Sequence, residues 1–186
     1  MCHALLSDPN FYRLLLGFDR DLARESVAGG CPCGGKLHSA RYPRKPRGGP
    51  ADLGAEYAWR LSYCCAREGC RRRTTPPSLR FLGQRVYLAA VVVLASAMEG
   101  GVTVKRAERL HELVGVSVRT LRRWRAWWRG AFRETAFWRK AQGNFAPAVD
   151  VSALPRSLLE RFSGADEQAR LIQALRFLAP LTIRSA

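Results

Sequence analysis

Two pairs of closely spaced cysteines constrain this chain more than any other feature. The first is Cys31-Pro32-Cys33-Gly34-Gly35; the second, 31 residues further on, is Cys65-x4-Cys70, with Cys64 beside it. A tetrahedral metal site needs four soft or borderline ligands, and two tight turns that each deliver two thiolates supply them economically. Gly34-Gly35 lets backbone N–H groups face the first thiolates, and Gly69 does the same for the second turn. Residues 31–75 are rich in Gly and Pro and poor in helical periodicity. A segment with so little apolar mass gains most from a metal staple. The expected cofactor is therefore a structural Zn2+ held by Cys31, Cys33, Cys65 and Cys70. His38 is an alternative to Cys33, and Cys64 to Cys65. Disulfides are not expected, because no export signal precedes them and cytosolic thiols stay reduced. Cys2 reads as a bystander.

Around this module the pattern is helical. Asp8-Pro9 is a cap followed by Pro at a first helical position, and Phe11, Leu14, Leu15, Phe18 and Leu22 form an apolar stripe up to Gly29-Gly30. Tyr57, Trp59, Leu61 and Tyr63 alternate with Ala58, Arg60 and Ser62, the pattern of a strand. Thr74-Thr75-Pro76-Pro77 reads as an extended linker. Residues 86–98 are uncharged and apolar nearly all round, which predicts a buried helix starting near Gln84 and stopped by Gly100-Gly101. At 13 residues the run is too short for the ~20 that a membrane span needs. Met1-Cys2-His3 carries no basic segment before an apolar stretch, so no signal peptide is expected. Two further helices are expected near 155–162 and 165–178. The second opens on Ser163-x-x-Asp166 and carries a Leu171, Ile172, Leu175, Leu178 stripe.

A helix over 104–114 capped by Thr103, then Gly115-Val116, then a second helix capped by Ser117 and running toward the 130s, has the layout of a helix-turn-helix. Taking about 100° per residue from Leu121, Val118, Trp124 and Trp128 fall within about 60° of it and form the core stripe. Arg122, Ala126, Arg119 and Arg123 fall between about 100° and about 200°, so three guanidiniums surround one small residue. A recognition helix in a major groove uses that arrangement. Arg119, Arg122 and Arg123 are the expected base or phosphate contacts, with Ser117 and Thr120 at the helix start. Trp124, Trp127, Trp128 and Trp138 read as core, and Arg125 lies at the core edge. His111 stands four residues before the turn Gly, where such motifs carry a small residue. The Arg-rich strips Arg44, Lys45, Arg47 and Arg71, Arg72, Arg73 are expected to contact backbone phosphates or a minor groove.

Charge supports a polyanionic partner. The chain holds 31 Lys+Arg against 15 Asp+Glu, a formal net charge of +16. The excess concentrates in residues 31–85 and 100–140, between near-neutral segments.

The combination of Cys31-Pro-Cys33-Gly-Gly, Cys65-x4-Cys70-Arg-Arg-Arg-Thr-Thr and Gly115-Val-Ser-x-Arg-Thr-Leu-Arg-Arg-Trp124 resembles the N-terminal DNA-binding region of bacterial insertion-sequence transposases. It also looks like the stand-alone accessory proteins of such elements. The resemblance covers about residues 31–130. It implies recognition of element ends or of a promoter. Family transposases hold two metal ions with three carboxylates on an RNase H-like sheet. After the recognition-helix candidate only Glu134, Asp150, Glu160, Asp166 and Glu167 remain, without a β-rich frame. An autonomous transposase, or any enzyme, is therefore not expected.

The expected protein is mainly α: a helical helix-turn-helix domain with a small Cys-rich, zinc-ribbon-like β module. The segments are 1–30 (N-terminal helix), 31–77 (ribbon), 78–142 (helix-turn-helix domain) and 143–186 (C-terminal helices). Its expected partner is double-stranded DNA, together with a transposase or a second copy of itself, in the cytoplasm at the nucleoid. The alternative is a basic zinc-ribbon protein that binds RNA or the ribosome. The terminal amphipathic stretches either complete the core or meet a partner.

Overall fold

The computed structural model describes residues 2–83, 85–98 and 103–183. The expected stop at Gly100-Gly101, the helix start near Gln84, and the side chains of Cys2 and His3 lie outside the described residues. The chain is mainly α-helical with a small antiparallel β module that carries the cysteine cluster.

A short helix α1 (Cys2–Ser7) leads into α2 (Pro9–Ala28). The Asp8 carboxylate accepts the Asn10 N–H at 2.9 Å, as its cap position requires. The buried face differs from the expected stripe. It comprises Phe11, Tyr12, Leu15, Leu16, Asp19 and Ala23, while Leu14 is 39 % exposed. The helix is rotated because Tyr12 packs edge-on against Tyr57 and Asp19 finds its partners inside.

The β module follows. Strand β1 (Leu37–Ser39) pairs antiparallel with β4 (Tyr63–Cys65), which pairs with β5 (Arg73–Thr74). Strand β2 (Tyr42–Pro43) pairs with β3 (Trp59–Arg60). The single strand expected over 57–63 is broken. Tyr57 lies in a 3-10 turn (Ala55–Ala58), and β3 and β4 belong to different sheets. The polar members of the alternation face inward: Arg60 and Ser62 are 2 % and 1 % exposed, whereas Trp59 and Tyr63 are half-buried. The inner face is lined by polar groups that satisfy it. Arg60 donates to the carbonyl of Pro76 and to Thr182 Oγ1, and Ser62 Oγ donates to the Thr74 carbonyl.

The buried Asp19–Arg80 ion pair ties these parts together. Arg80 Nε donates to Asp19 Oδ2 at 2.7 Å, with both side chains fully buried. Asp19 also accepts from Ser78 Oγ and from the Leu79 N–H, each at 2.6 Å. The other arms of the guanidinium donate to the Tyr57 and Trp59 carbonyls at 2.8 and 2.9 Å. One side chain thus joins α2, the β module and the linker to the helices.

The 86–98 run forms α3 (Ala89–Ala97), buried at every position but the last. It starts later than expected, because Phe81 and Leu88 form an antiparallel bridge and Arg47 and Tyr87 a parallel one. Helices α4 (Val104–Val114) and α5 (Val118–Arg129) take the expected starts, with the Thr103 and Ser117 hydroxyls accepting the Arg106 and Thr120 N–H groups. Helix α5 stops at Arg129 rather than entering the 130s. A separate helix α6 (Ala136–Ala141), capped by Thr135, follows a turn. Next come α7 (Arg156–Leu159), shorter than expected, and α8 (Glu167–Leu178), capped by Asp166 rather than Ser163. Leu171, Ile172, Leu175 and Leu178 are buried as expected.

The core is one continuous cluster from Leu6 and Tyr12 through α3 to Trp128, Trp138, Leu175 and Leu178. The terminal helices therefore complete the core. Removing one partner of a buried ion pair strands the other's charge, typically at about 3–5 kcal/mol. Asp19→Ala is expected to lose stability of that order in chemical denaturation, far more than Asp21→Ala, whose partner Arg24 is exposed.

Candidate metal centre and basic surface

The two cysteine turns meet at the end of the β1–β4–β5 sheet, where Cys65 closes the central strand. The ligand atoms of Cys31, Cys33, Cys65 and Cys70 all lie within 4.8 Å of one another. Sγ separations are 3.4 Å (Cys31–Cys33), 3.5 Å (Cys33–Cys65) and 3.8 Å (Cys31–Cys70). A tetrahedron with metal–sulfur bonds of about 2.3 Å has sulfur–sulfur edges of roughly 3.8 Å, so the set fits a tetrahedral ion. These four residues can hold a metal.

The backbone is shaped for that cluster. A Cβ on Gly35 would stand 2.5 Å from Cys65 Sγ and 3.3 Å from Cys33 Sγ, so no side chain fits there. The Gly35 N–H, followed by the neighbouring thiols, lowers the Cys33 pKa to about 6. The Arg67 N–H reaches Cys65 Sγ at 3.4 Å and favours its thiolate, but burial and the other three thiols outweigh it and push Cys65 up to about 12. Crowded thiols cannot all ionise alone; a cation resolves the conflict and releases protons as it binds.

The open choices at this site resolve by strand register. His38 lies directly opposite Cys64 in the β1–β4 pair, one step from the Leu37–Cys65 pair, so both alternates occupy the other sheet face. His38 is exposed, and Cys64 Sγ contacts the Arg71 carbonyl at 3.3 Å. Neither belongs to the cluster.

The turn between α4 and α5 has the expected chemistry. Gly115 is left-handed at φ +66 and its N–H returns to the His111 carbonyl at 2.8 Å; Val116 is 1 % exposed. Tyr87 Oη donates to the Gly115 carbonyl at 2.9 Å, and its ring packs edge-on to Trp124. Leu121, Trp124 and Trp128 are buried, while Arg119, Arg122, Arg123 and Ala126 are exposed. Val118 departs from the expected core stripe at 37 % exposure, because it sits at the uncovered first turn. His111 points outward, which removes the need for a small residue there. The Ser117 hydroxyl is engaged with Thr120, as acceptor from its N–H and donor to its Oγ1.

The 44–47 strip is stitched to the fold, whereas in the second strip Arg71 is left-handed at φ +46 and Arg73 enters β5. The Arg44 N–H bonds the Ala58 carbonyl, and Arg47 exchanges backbone bonds with Val86 and Leu88. Lys45, Arg47, Arg71, Arg72 and Arg73 are exposed; Arg44 is half-buried over the Phe81 ring. Arg47 adjoins Tyr87 and Gly115 in one depression, so the first strip runs beside the helix-turn-helix turn.

Sequence reading overlooked Arg85 and Arg60. Arg85 lies 3.8 Å over the Trp127 ring, and its carbonyl accepts from Arg44. Burial first, and the Arg123 charge second, lower its pKa to about 10. Arg85 therefore links the strip to α5. Its signal was faint: a lone Arg ahead of an apolar run. No family model, curated protein or solved structure matches the chain.

With one equivalent of Co2+ as probe, the protein is expected to develop tetrahedral thiolate absorption. Gly35→Ala and Cys65→Ser are expected to weaken or abolish it. Cys64→Ser and His38→Ala are expected to leave it unchanged; loss in either would move the ligand set to the other sheet face.

Proposed function

We propose that the protein is a zinc-stapled DNA-binding protein that reads duplex DNA through α5. The observation that carries the reading is the exposed face of α5: Arg119, Arg122 and Arg123 around Ala126, behind a left-handed Gly turn, a buried Val and a capping Ser. Forked guanidiniums match guanine edges and phosphates, and the small Ala leaves room for close approach. Arg85 beside Arg123, and Arg47 beside the turn, extend the cationic surface for phosphate contacts that fix register. Four thiolates favour zinc among the common metals, and a site without an open position serves structure rather than catalysis.

Its role in the cell is that of an accessory or regulatory protein of a mobile element, acting at the nucleoid with a transposase or a second copy. The motif combination along residues 31–130 supports this assignment. Binding rather than catalysis is the activity.

The test is selection from random duplexes with zinc-loaded protein at near-physiological salt. A short motif is expected to emerge, and to be lost in Arg122→Ala/Arg123→Ala and after chelation. Each lost bidentate base contact typically costs about 1–3 kcal/mol. Binding without motif enrichment, tracking only salt, would refute readout by α5; a preference for structured RNA would favour the ribosomal alternative.

A further inference from the structure

A second basic feature lies away from the exposed face of α5. A cleft of about 680 Å³ opens where the β module, the linker and the C-terminal segment meet. Arg44, Arg60 and Arg73 line it with the hydroxyl-bearing Tyr42, Thr75 and Thr182, and among the described residues no carboxylate does. Arg60 forms one wall and is 2 % exposed. One of its terminal nitrogens reaches the Pro76 carbonyl and Thr182 Oγ1; the other, Nη1, is buried with no hydrogen-bond partner among the described residues. The charge balance is equally incomplete. Two guanidiniums, Arg60 and Arg80, are buried in this region, and Asp19, the one buried carboxylate among the described residues, is hydrogen-bonded to Arg80. An unpaired buried cation with an unmet donor is costly unless an anion completes it.

We infer that this cleft is a phosphate-binding subsite that receives a phosphate group of the nucleic-acid strand carried by α5. The inference rests on the DNA-binding reading for the source of the phosphate, but not for the site. Guanidinium forks and hydroxyl donors suit a tetrahedral oxyanion with several acceptor oxygens. Arg60 places a buried positive charge behind the wall, and Arg44 and Arg73 supply charge and N–H donors from the walls. Arg73 is held over Tyr42, 5.7 Å from its ring centroid, and Arg44 is tied through Arg85 to the α5 surface. The cleft volume exceeds that of one phosphate and accommodates the adjoining sugar.

The test titrates metal-loaded protein with inorganic phosphate at constant ionic strength, following the melting temperature. A saturable rise over matched chloride is expected. In Arg73→Ala, an exposed position whose loss leaves the core intact, phosphate affinity is expected to fall roughly tenfold or more. Arg60→Met is expected to abolish the response; if that variant does not fold, Arg73→Ala decides. Arg122→Ala/Arg123→Ala is expected to keep the full response. No saturable rise, or an equal rise in Arg73→Ala, overturns the site. A duplex is then added. A bound duplex that suppresses the phosphate response supports a strand phosphate in the cleft. A duplex that binds while the response persists overturns that source and leaves a site for free phosphate. If phosphate binds but duplex does not, the DNA-binding reading fails and the strand source with it.

Discussion

The arrangement of this protein depends on a single buried guanidinium. Arg80 neutralises Asp19 on α2 and holds the carbonyls of Tyr57 and Trp59 in the β module. Its own chain position is on the linker between the β module and α3. These three parts are thereby joined by one planar fork, whose donors match three acceptors in fixed directions. The Arg80 fork also stacks near Tyr57 and Phe81, at 5.0 and 4.9 Å from the ring centroids. The cysteine cluster does different work. It closes the two ends of the β module on each other, while Asp19–Arg80 sets that module against the helices.

Rigidity of this kind bears on recognition. The basic strips would be costly to order if they were free arms, since each immobilised long side chain forfeits entropy on binding. Here the 44–47 strip is hydrogen-bonded to the Ala58, Val86 and Leu88 backbone, and the Gly115 turn is held by Tyr87. Cations contributed by the β module, the linker and α5 are therefore presented in fixed relation. Arg85, stacked on Trp127 and bonded through its carbonyl to Arg44, is the joint between them.

What was legible in the sequence was local. The α4 and α5 starts depend on Thr103, Ser117 and Gly115, whose capping chemistry acts within three or four residues. The four ligands follow from two short spacings plus one strand alternation. What was illegible was tertiary. Nothing near Arg60 reveals that it turns inward, because its partner Thr182 lies 122 residues away. Alternation over 57–63 does not say which face is buried, and the polar face turns inward because Thr74, Pro76 and Thr182 satisfy it. The rotation of α2 has the same origin: Asp19, silent in an apolar-stripe reading, has its partners at residues 78–80. The separation of α6 from α5 is faint in the sequence because the intervening turn, residues 130–135, contains one Gly and no Pro.

The central claim is that metal-ordered β module and α5 form one nucleic-acid surface. Amide hydrogen exchange of the metal-loaded protein, with and without excess duplex DNA, tests it most directly. The account predicts added protection at residues 44–47, 71–75 and 117–129, with α8 unchanged. Protection confined to α2 and α8, or absent while DNA is bound, would contradict it.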